Sequence, residues 1–232
     1  MLKELAEYRV GVDNVIFSVD AQLNRLFVLL FQRENTPYQG YWSLPGTLVR
    51  KDESLEGAAQ RILSEKITVN NPYLEQLYTF SGAEKKNSKG QIFTYLSISY
   101  FALLRYENAQ LVNKPFGTAT WYNLKDLPEL AFEHRKILDY GYQRLRNKLE
   151  YSPIAFDVLP ELFTLNDLYQ LYCTILGENF SDYSNFRSRL LKMGFLNDTG
   201  SKIYRGIGRP AKLYRFDAEA FAPLKDHPLV FI

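Results

Sequence analysis

The sequence predicts an α/β sandwich on a mixed sheet over residues 1–150, then a small helical domain ending in a β-hairpin over residues 151–232. Three observations predict it. In the first two-thirds of the chain, strand-like runs rich in β-branched residues flank stretches with helical apolar spacing, the pattern of a sheet packed between helices. At Tyr151-Ser152-Pro153 a long helical pattern breaks, because proline disfavours helical geometry in the residue before it. Beyond that point come short helices with glycine stops and then a pair of strands.

Residues 10–19 (VGVDNVIFSV) read as a strand that ends in a turn at Asp20-Ala21-Gln22. Residues 26–31 are a continuous apolar run, as a strand buried on both faces requires. The two make a hairpin. Residues 38–69 begin with a turn-rich loop (Gln39-Gly40, Leu44-Pro45-Gly46) and a helix start at Asp52-Glu53-Ser54. Leu55, Ala58, Ala59, Ile62, Leu63 and Ile67 follow at three- and four-residue steps, one buried helix face. Then come a strand over 73–80, a polar loop over 81–90, a long strand over 91–104 and a short one over 119–123. The LAFEH stretch, residues 130–134, opens a helix to Leu149 with Ile137, Gly141, Leu145 and Leu149 on one face and a basic opposite face.

Composition bounds the function. The chain has 232 residues, long enough for one large or two ordinary domains; 46 % apolar and 15 % aromatic content is ample for a packed core, and a net charge of +2 gives no global electrostatic signal. The single Cys173 excludes an intrachain disulfide and a cysteine-only metal centre, and two histidines, His134 and His227, make a poor zinc set. The longest apolar run is too short to span a bilayer and residues 1–5 lack a signal region, so the chain reads as soluble and cytoplasmic.

The second domain has an informative charge distribution. After an apolar segment over 154–159, a helix runs from the Phe163-Thr164-Leu165 start to Ile175 and stops at Gly177. Asp182 caps the next helix, 183–193, which stops at Gly194. A turn at Asn197-Asp198-Thr199-Gly200 then leads to strands at 203–204 and 212–216 around a tip at 206–210. Helix, turn, helix and hairpin is the layout of a winged helix-turn-helix. Residues 154–182 hold five acids and no Lys or Arg, whereas 183–215 hold eight cations against the single acid Asp198. Such a local excess is the footprint of a phosphate-binding surface. Steps of 100° place Tyr183, Phe186, Leu190 and Met193 in the core and Asn185, Ser188, Arg189 and Lys192 outward, with Ser184 at the margin and Arg187 at the core edge. Asn and Arg suit base edges, and Lys192 suits phosphate. Lys202, Arg205, Arg209 and Lys212 extend the basic surface along the wing.

The loop and helix over 38–69 resemble a Nudix box. Leu44-Pro45-Gly46, Glu53 and Arg61 match its pattern, but Ile62 and Lys66 stand where two magnesium-binding glutamates belong, and Thr68 replaces a glycine. Two carboxylates four residues apart on one helix face would hold Mg²⁺ against a diphosphate. Without them the resemblance implies an inactive Nudix-like α/β/α sandwich with no catalytic residue, metal or cofactor. With LAFEH, the FTLxDL helix and the GRPAKLYRF wing, the chain resembles the Nudix-related transcriptional regulators, and among them the arabinose-responsive branch. That implies a homodimeric repressor of sugar utilisation on a palindromic operator, released by L-arabinose. The expected effector-binding residues are Asp13, Trp42, Gly46, Tyr95, Glu133 and His134. Two alternatives stay open: an ADP-ribose-responsive regulator of nicotinamide metabolism, with Arg50, Lys51 and Lys66 holding the pyrophosphate, and a residual nucleoside-diphosphate hydrolase using Glu53 and Glu65.

Overall fold

A computed structural model of the chain describes residues 8–20, 24–68, 74–86, 92–111, 118–177, 180–205 and 209–224. Strand β1 (Tyr8–Asp20) and strand β2 (Arg25–Gln32) form the centre of the sheet. Val28, Leu29 and Leu30 of β2 are fully buried, so neither face of this strand meets water. Short strands β3 (Trp42–Ser43) and β4 (Gly46–Leu48) flank the Leu44-Pro45 turn. Helix α1 (Leu55–Lys66) is capped by Ser54, whose side chain accepts from the Gly57 amide, a contact worth about 1 kcal/mol. Its Ala58, Ala59 and Ile62 pack against Val12, Ile98 and Tyr100.

Strands β5 (Ile67–Thr68), β6 (Glu75–Lys86), β7 (Ile92–Arg105), β8 (Gln110–Leu111) and β9 (Ala119–Asn123) complete this part of the chain. The sheet order is β3-β2-β1-β7-β6, with β4 paired to β1 and β9 to β2, while β5 and β8 form a separate pair. Helix α2 (His134–Tyr151) lies close to β1 at Gly141, where a Cβ would stand 3.0 Å from Val15 Cγ1.

The chain divides into two compact units, Met1–Ser18 with Phe27–Gly141, and Val19–Leu26 with Tyr142–Ile232. The second unit contains helices α3 (Ile154–Val158), α4 (Leu165–Leu176) and α5 (Tyr183–Lys192), the antiparallel hairpin β10 (Leu196–Ile203) and β11 (Ala211–Phe216), and a final turn of helix, α6 (Ala218–Phe221). Thr164 and Asp167 form a reciprocal capping box at the start of α4. Gly177 ends α4 at φ 101°, a left-handed conformation that favours glycine. Tyr142 Oη and Arg146 donate to the terminal α4 carbonyls of Ile175 and Leu176. The core is aromatic: Phe156 stacks on Phe216 at 4.1 Å, and Phe195, Phe221, Tyr172 and Phe186 are buried around it and under α4. Among the described residues no helix is long and apolar enough to cross a membrane.

Four expectations need correction. The predicted loop over 81–90 is strand as far as Lys86, since β6 pairs with β7 to the Lys86↔Ile92 register across a bulge between Ser81 and Glu84. Its polar sequence suits an edge strand, and the rest of that loop lies outside the described residues. The LAFEH helix begins only at His134, because Phe132 adopts φ 55°, which interrupts right-handed helix. Ile67 is buried but belongs to β5 rather than to the helix. The turn at 197–200 is instead a distortion inside β10: Gly200 takes φ 72° and the register shifts between Asp198 and Lys202. Part of the predicted wing tip, 206–208, lies outside the described residues.

Candidate functional site

Above the Leu44-Pro45-Gly46 turn the first unit has an open cleft of about 380 Å³, lined among others by Gln32, Arg33, Ser43, Gly46, Thr47 and Glu65. The antiparallel register sets Asp13 opposite Gly46. A Cβ on Gly46 would overlap the Asp13 carboxylate and stand 3.1 Å from the Val12 carbonyl oxygen, so any side chain here requires Asp13 or the turn to move. Ser97 of β7 donates a hydrogen bond to Asp13 Oδ2.

His134 opens α2 behind this turn. Its Nδ1 accepts from the Leu44 amide at 2.9 Å, which leaves the ring proton on Nε2, 3.7 Å from Asp13 Oδ1. Burial pushes the imidazole below its ordinary value; Asp13 partly opposes this, and the Arg33 charge adds to it. The neutral ring therefore bonds the turn through Nδ1 and turns Nε2 toward the Asp13 carboxylate, beyond hydrogen-bond distance.

Of the six expected effector-binding residues, Gly46 lines the cleft, while Asp13 and His134 lie directly behind it. Trp42 anchors the wall: its carbonyl accepts from the Ala131 amide at 2.7 Å and its ring meets Tyr122 edge-on at 4.8 Å. Tyr95 is half-buried on β7, two residues before Ser97. Glu133 is exposed, and its carbonyl accepts from the Lys136 amide in the first turn of α2. Neither of these two lines the cleft. Sequence reasoning missed Arg33, Tyr38, Ser97 and Phe132. Arg33 was legible only as a cation directly after a buried apolar strand, Phe132 stood in the LAFEH stretch without a role assigned to it, and Tyr38 and Ser97 carried no signal before the chain folded.

Just before α1, Glu53 accepts two hydrogen bonds from Arg61 of that helix, at 2.7 and 2.9 Å, and a third from the Arg50 amide. The Arg61 bonds first, then the Arg50 amide, hold the Glu53 carboxyl down at about 2. Glu65 faces the same Arg61 at 3.8 Å. Ile62 is 3 % exposed and packs in the core.

In the second unit, the Asp182 side chain accepts from the Asn185 amide and fixes the start of α5. Phe186 and Leu190 are buried, whereas Ser184, Asn185, Arg187, Ser188 and Lys192 are exposed. The helical projection needs adjustment at three places. Tyr183 is 39 % exposed, although its ring meets Tyr169; Met193 is only half-buried; and Arg189 is half-buried at the flank, with Arg187 on the opposite flank. Several wing cations are already paired. Arg205 makes a two-pronged bridge to Asp167, Lys212 meets Asp198 at 2.6 Å and Arg215 meets Glu161 at 3.1 Å. Lys202 and Arg209 are exposed. The raw charge count therefore overstates the cations available to a phosphate backbone.

The fold and these two surfaces define a DNA-binding transcriptional regulator with a Nudix-type domain. The NUDIX domain family matches residues 7–141, and the AraR C-terminal winged HTH domain family matches residues 151–232. The ADPR responsive transcriptional repressor NtrR of Acinetobacter baylyi is 37 % identical over 209 residues, 88 % of this chain and 80 % of that protein. The structure of Shewanella oneidensis NrtR complexed with a 27mer DNA matches with a TM-score of 0.73 at 35 % identity, covering 91 % of this chain and 94 % of that one. The NUDIX domain of the same protein, solved with ADP ribose, matches at 34 % identity and TM-score 0.50, over 62 % of this chain and 93 % of that one. The chain belongs to the Nudix-related transcriptional regulators.

These relatives overturn the expectation of L-arabinose and of sugar utilisation. NtrR and NrtR both span the two halves of this chain, and the first of them is named for its response to ADP-ribose. The physical reason is the separation of tasks: the arabinose-type match covers the winged helix, while the small-molecule cleft lies in the other unit.

Proposed function

We propose that this chain is a transcriptional repressor that ADP-ribose, bound in the Nudix-type cleft, releases from its operator, and that it governs nicotinamide metabolism. The observation that carries this reading is the 37 % identity to the ADP-ribose-responsive repressor across both halves of the chain. In this reading residues 1–150 bind effector and residues 151–232 bind DNA. Two copies would place their α5 helices in successive major grooves of a palindromic operator, about one helical turn apart. Asn185, Ser188 and Lys192 occupy the middle of the exposed α5 face and are the residues we assign to DNA. Release is linkage: an effector that favours the form with displaced recognition helices loses affinity by the factor by which it weakens DNA.

The residues present do not fit a magnesium-dependent hydrolase. Ile62 and Lys66 stand at the positions of two metal-binding glutamates, Ile62 is buried, and Glu53 is committed to Arg61 and the Arg50 amide. No step is therefore routed through a metal, and we assign the domain a receptor role. The test is fluorescence anisotropy on operator DNA with increasing ADP-ribose, alongside incubation of the protein with ADP-ribose and Mg²⁺. Release of DNA without hydrolysis is the expected result. Operator affinity indifferent to ADP-ribose would overturn the effector, and turnover would overturn the receptor role.

A further inference from the structure

Arg33, the residue immediately after β2, lines the cleft and is half-buried. Its guanidinium carbon lies 4.6 Å from the centroid of the Phe132 ring, and its Nε donates to the Pro37 carbonyl at 3.0 Å. These two contacts fix the plane and the direction of the fork. Its terminal nitrogens make no hydrogen bond among the described residues, so the donors best suited to a phosphate are unused.

The support beneath Arg33 is built at a conformational cost. Phe132 adopts φ 55° and Tyr38 adopts φ 66°, two of four non-glycine residues with positive φ among those described. Their rings pack on each other at 4.7 Å, and Phe132 continues to His134 at 5.4 Å. Left-handed backbone at bulky aromatics is unfavourable, and such strain gathers where surrounding structure holds a ligand-binding group in place. The carboxylates at this site have their own neighbours: Glu65 faces Arg61, and Asp13 accepts from Ser97 while its charge also acts on Arg33 without a hydrogen bond. Arg33 is thus a cation held rigid in a cleft, its fork open.

We propose that Arg33 is the diphosphate-binding residue of the effector cleft, held ready by Phe132 and Tyr38. A planar fork bonds two phosphate oxygens at once, which a lysine cannot do. The residue takes over the charge neutralisation that a divalent ion would supply beside a diphosphate. This deepens the ADP-ribose reading and rests on it.

Calorimetric titration of ADP-ribose into wild type, Arg33→Ala, Arg33→Lys and Phe132→Leu tests the proposal, with unliganded melting curves to confirm that each variant folds. Arg33→Ala should bind roughly 10- to 100-fold more weakly. Arg33→Lys should lie between it and wild type. The ³¹P resonances of bound ADP-ribose should shift between wild type and Arg33→Lys, which a merely structural role would not produce. Equal affinity in wild type and Arg33→Ala overturns the proposal and leaves the ADP-ribose reading standing. If wild type ignores ADP-ribose, that reading has failed, and inorganic pyrophosphate decides for Arg33 alone. Pyrophosphate binding lost in Arg33→Ala supports the assignment; binding that is absent from wild type, or equal in both, overturns it.

Discussion

Gly46 and Asp13 are antiparallel register partners, and the Asp13 carboxylate already fills the space that a side chain on Gly46 would need. The neighbouring Val12 carbonyl closes the other exit at 3.1 Å, so an added methyl must displace Asp13 or the turn itself. Gly46→Ala should therefore lower stability by about 1–3 kcal/mol, the usual cost of overpacking. It should also weaken ADP-ribose binding, since the displaced turn forms the cleft floor. Urea denaturation with parallel titrations checks both, and an unchanged midpoint would mean that Asp13 moves aside freely.

His134 makes stability depend on pH in a definite direction. Burial, set against Asp13 and reinforced by Arg33, holds its folded-state value below the ordinary 6.5. Between those two values the unfolded chain binds a proton that the folded chain refuses. Stability from this group therefore rises with pH through that window and is complete above about pH 6.5. Unfolding free energy should fall when wild type is taken from about pH 7.5 to about pH 5.5, by at most about 1.4 kcal/mol per pH unit from this residue. His134→Gln should flatten that slope; an unchanged slope would assign it to other groups.

What could be read from the sequence was what neighbouring residues decide. The helix starts at 52–54 and 163–165, the cap at Asp182, the stop at Gly177 and the double-sided burial of β2 follow from local spacing, and the structure has each, with Ser54 and Thr164 as the capping residues. What failed depends on distant partners. Residues 81–86 look like loop until β7 supplies their hydrogen bonds, and no local pattern shows that Asp167 will meet Arg205, 38 positions away. The cleft shows the same division. Gly46 and His134 stand out in their motifs, but Arg33 acquires a role only when Phe132, 99 positions later, turns beneath it. The effector was misjudged because the wing motif, the more legible signal, lies in the unit without the cleft.

The exposed face of α5 divides into two kinds of contact. Asn185 can make paired hydrogen bonds to an adenine edge, whereas Lys192 offers only a point charge. Asn185→Ala should cost about 1–3 kcal/mol on the cognate operator and much less on scrambled DNA. Lys192→Ala should weaken both alike and lower the salt slope of log K by about 0.9. Anisotropy titrations on both DNAs at several salt concentrations separate the two. Equal losses on both DNAs for Asn185→Ala would remove that residue from base recognition.

Arg205 was expected to touch DNA, yet its guanidinium bonds both oxygens of Asp167, the residue that also closes the α4 capping box. This bridge ties the end of β10 to the first turn of α4 and so sets where the wing stands. If that is its task in the complex, Arg205→Ala should weaken operator binding through a misplaced wing while the salt slope stays at the wild-type value, because no phosphate contact is lost. Asp167→Asn should produce the same phenotype, tempered because the amide oxygen can still accept from Thr164. Lys202→Ala supplies the comparison: Lys202 is exposed, and if it meets a phosphate in the complex its loss should reduce the slope by about 0.9. A comparable reduction for Arg205→Ala would show that the guanidinium leaves Asp167 for a phosphate when DNA binds.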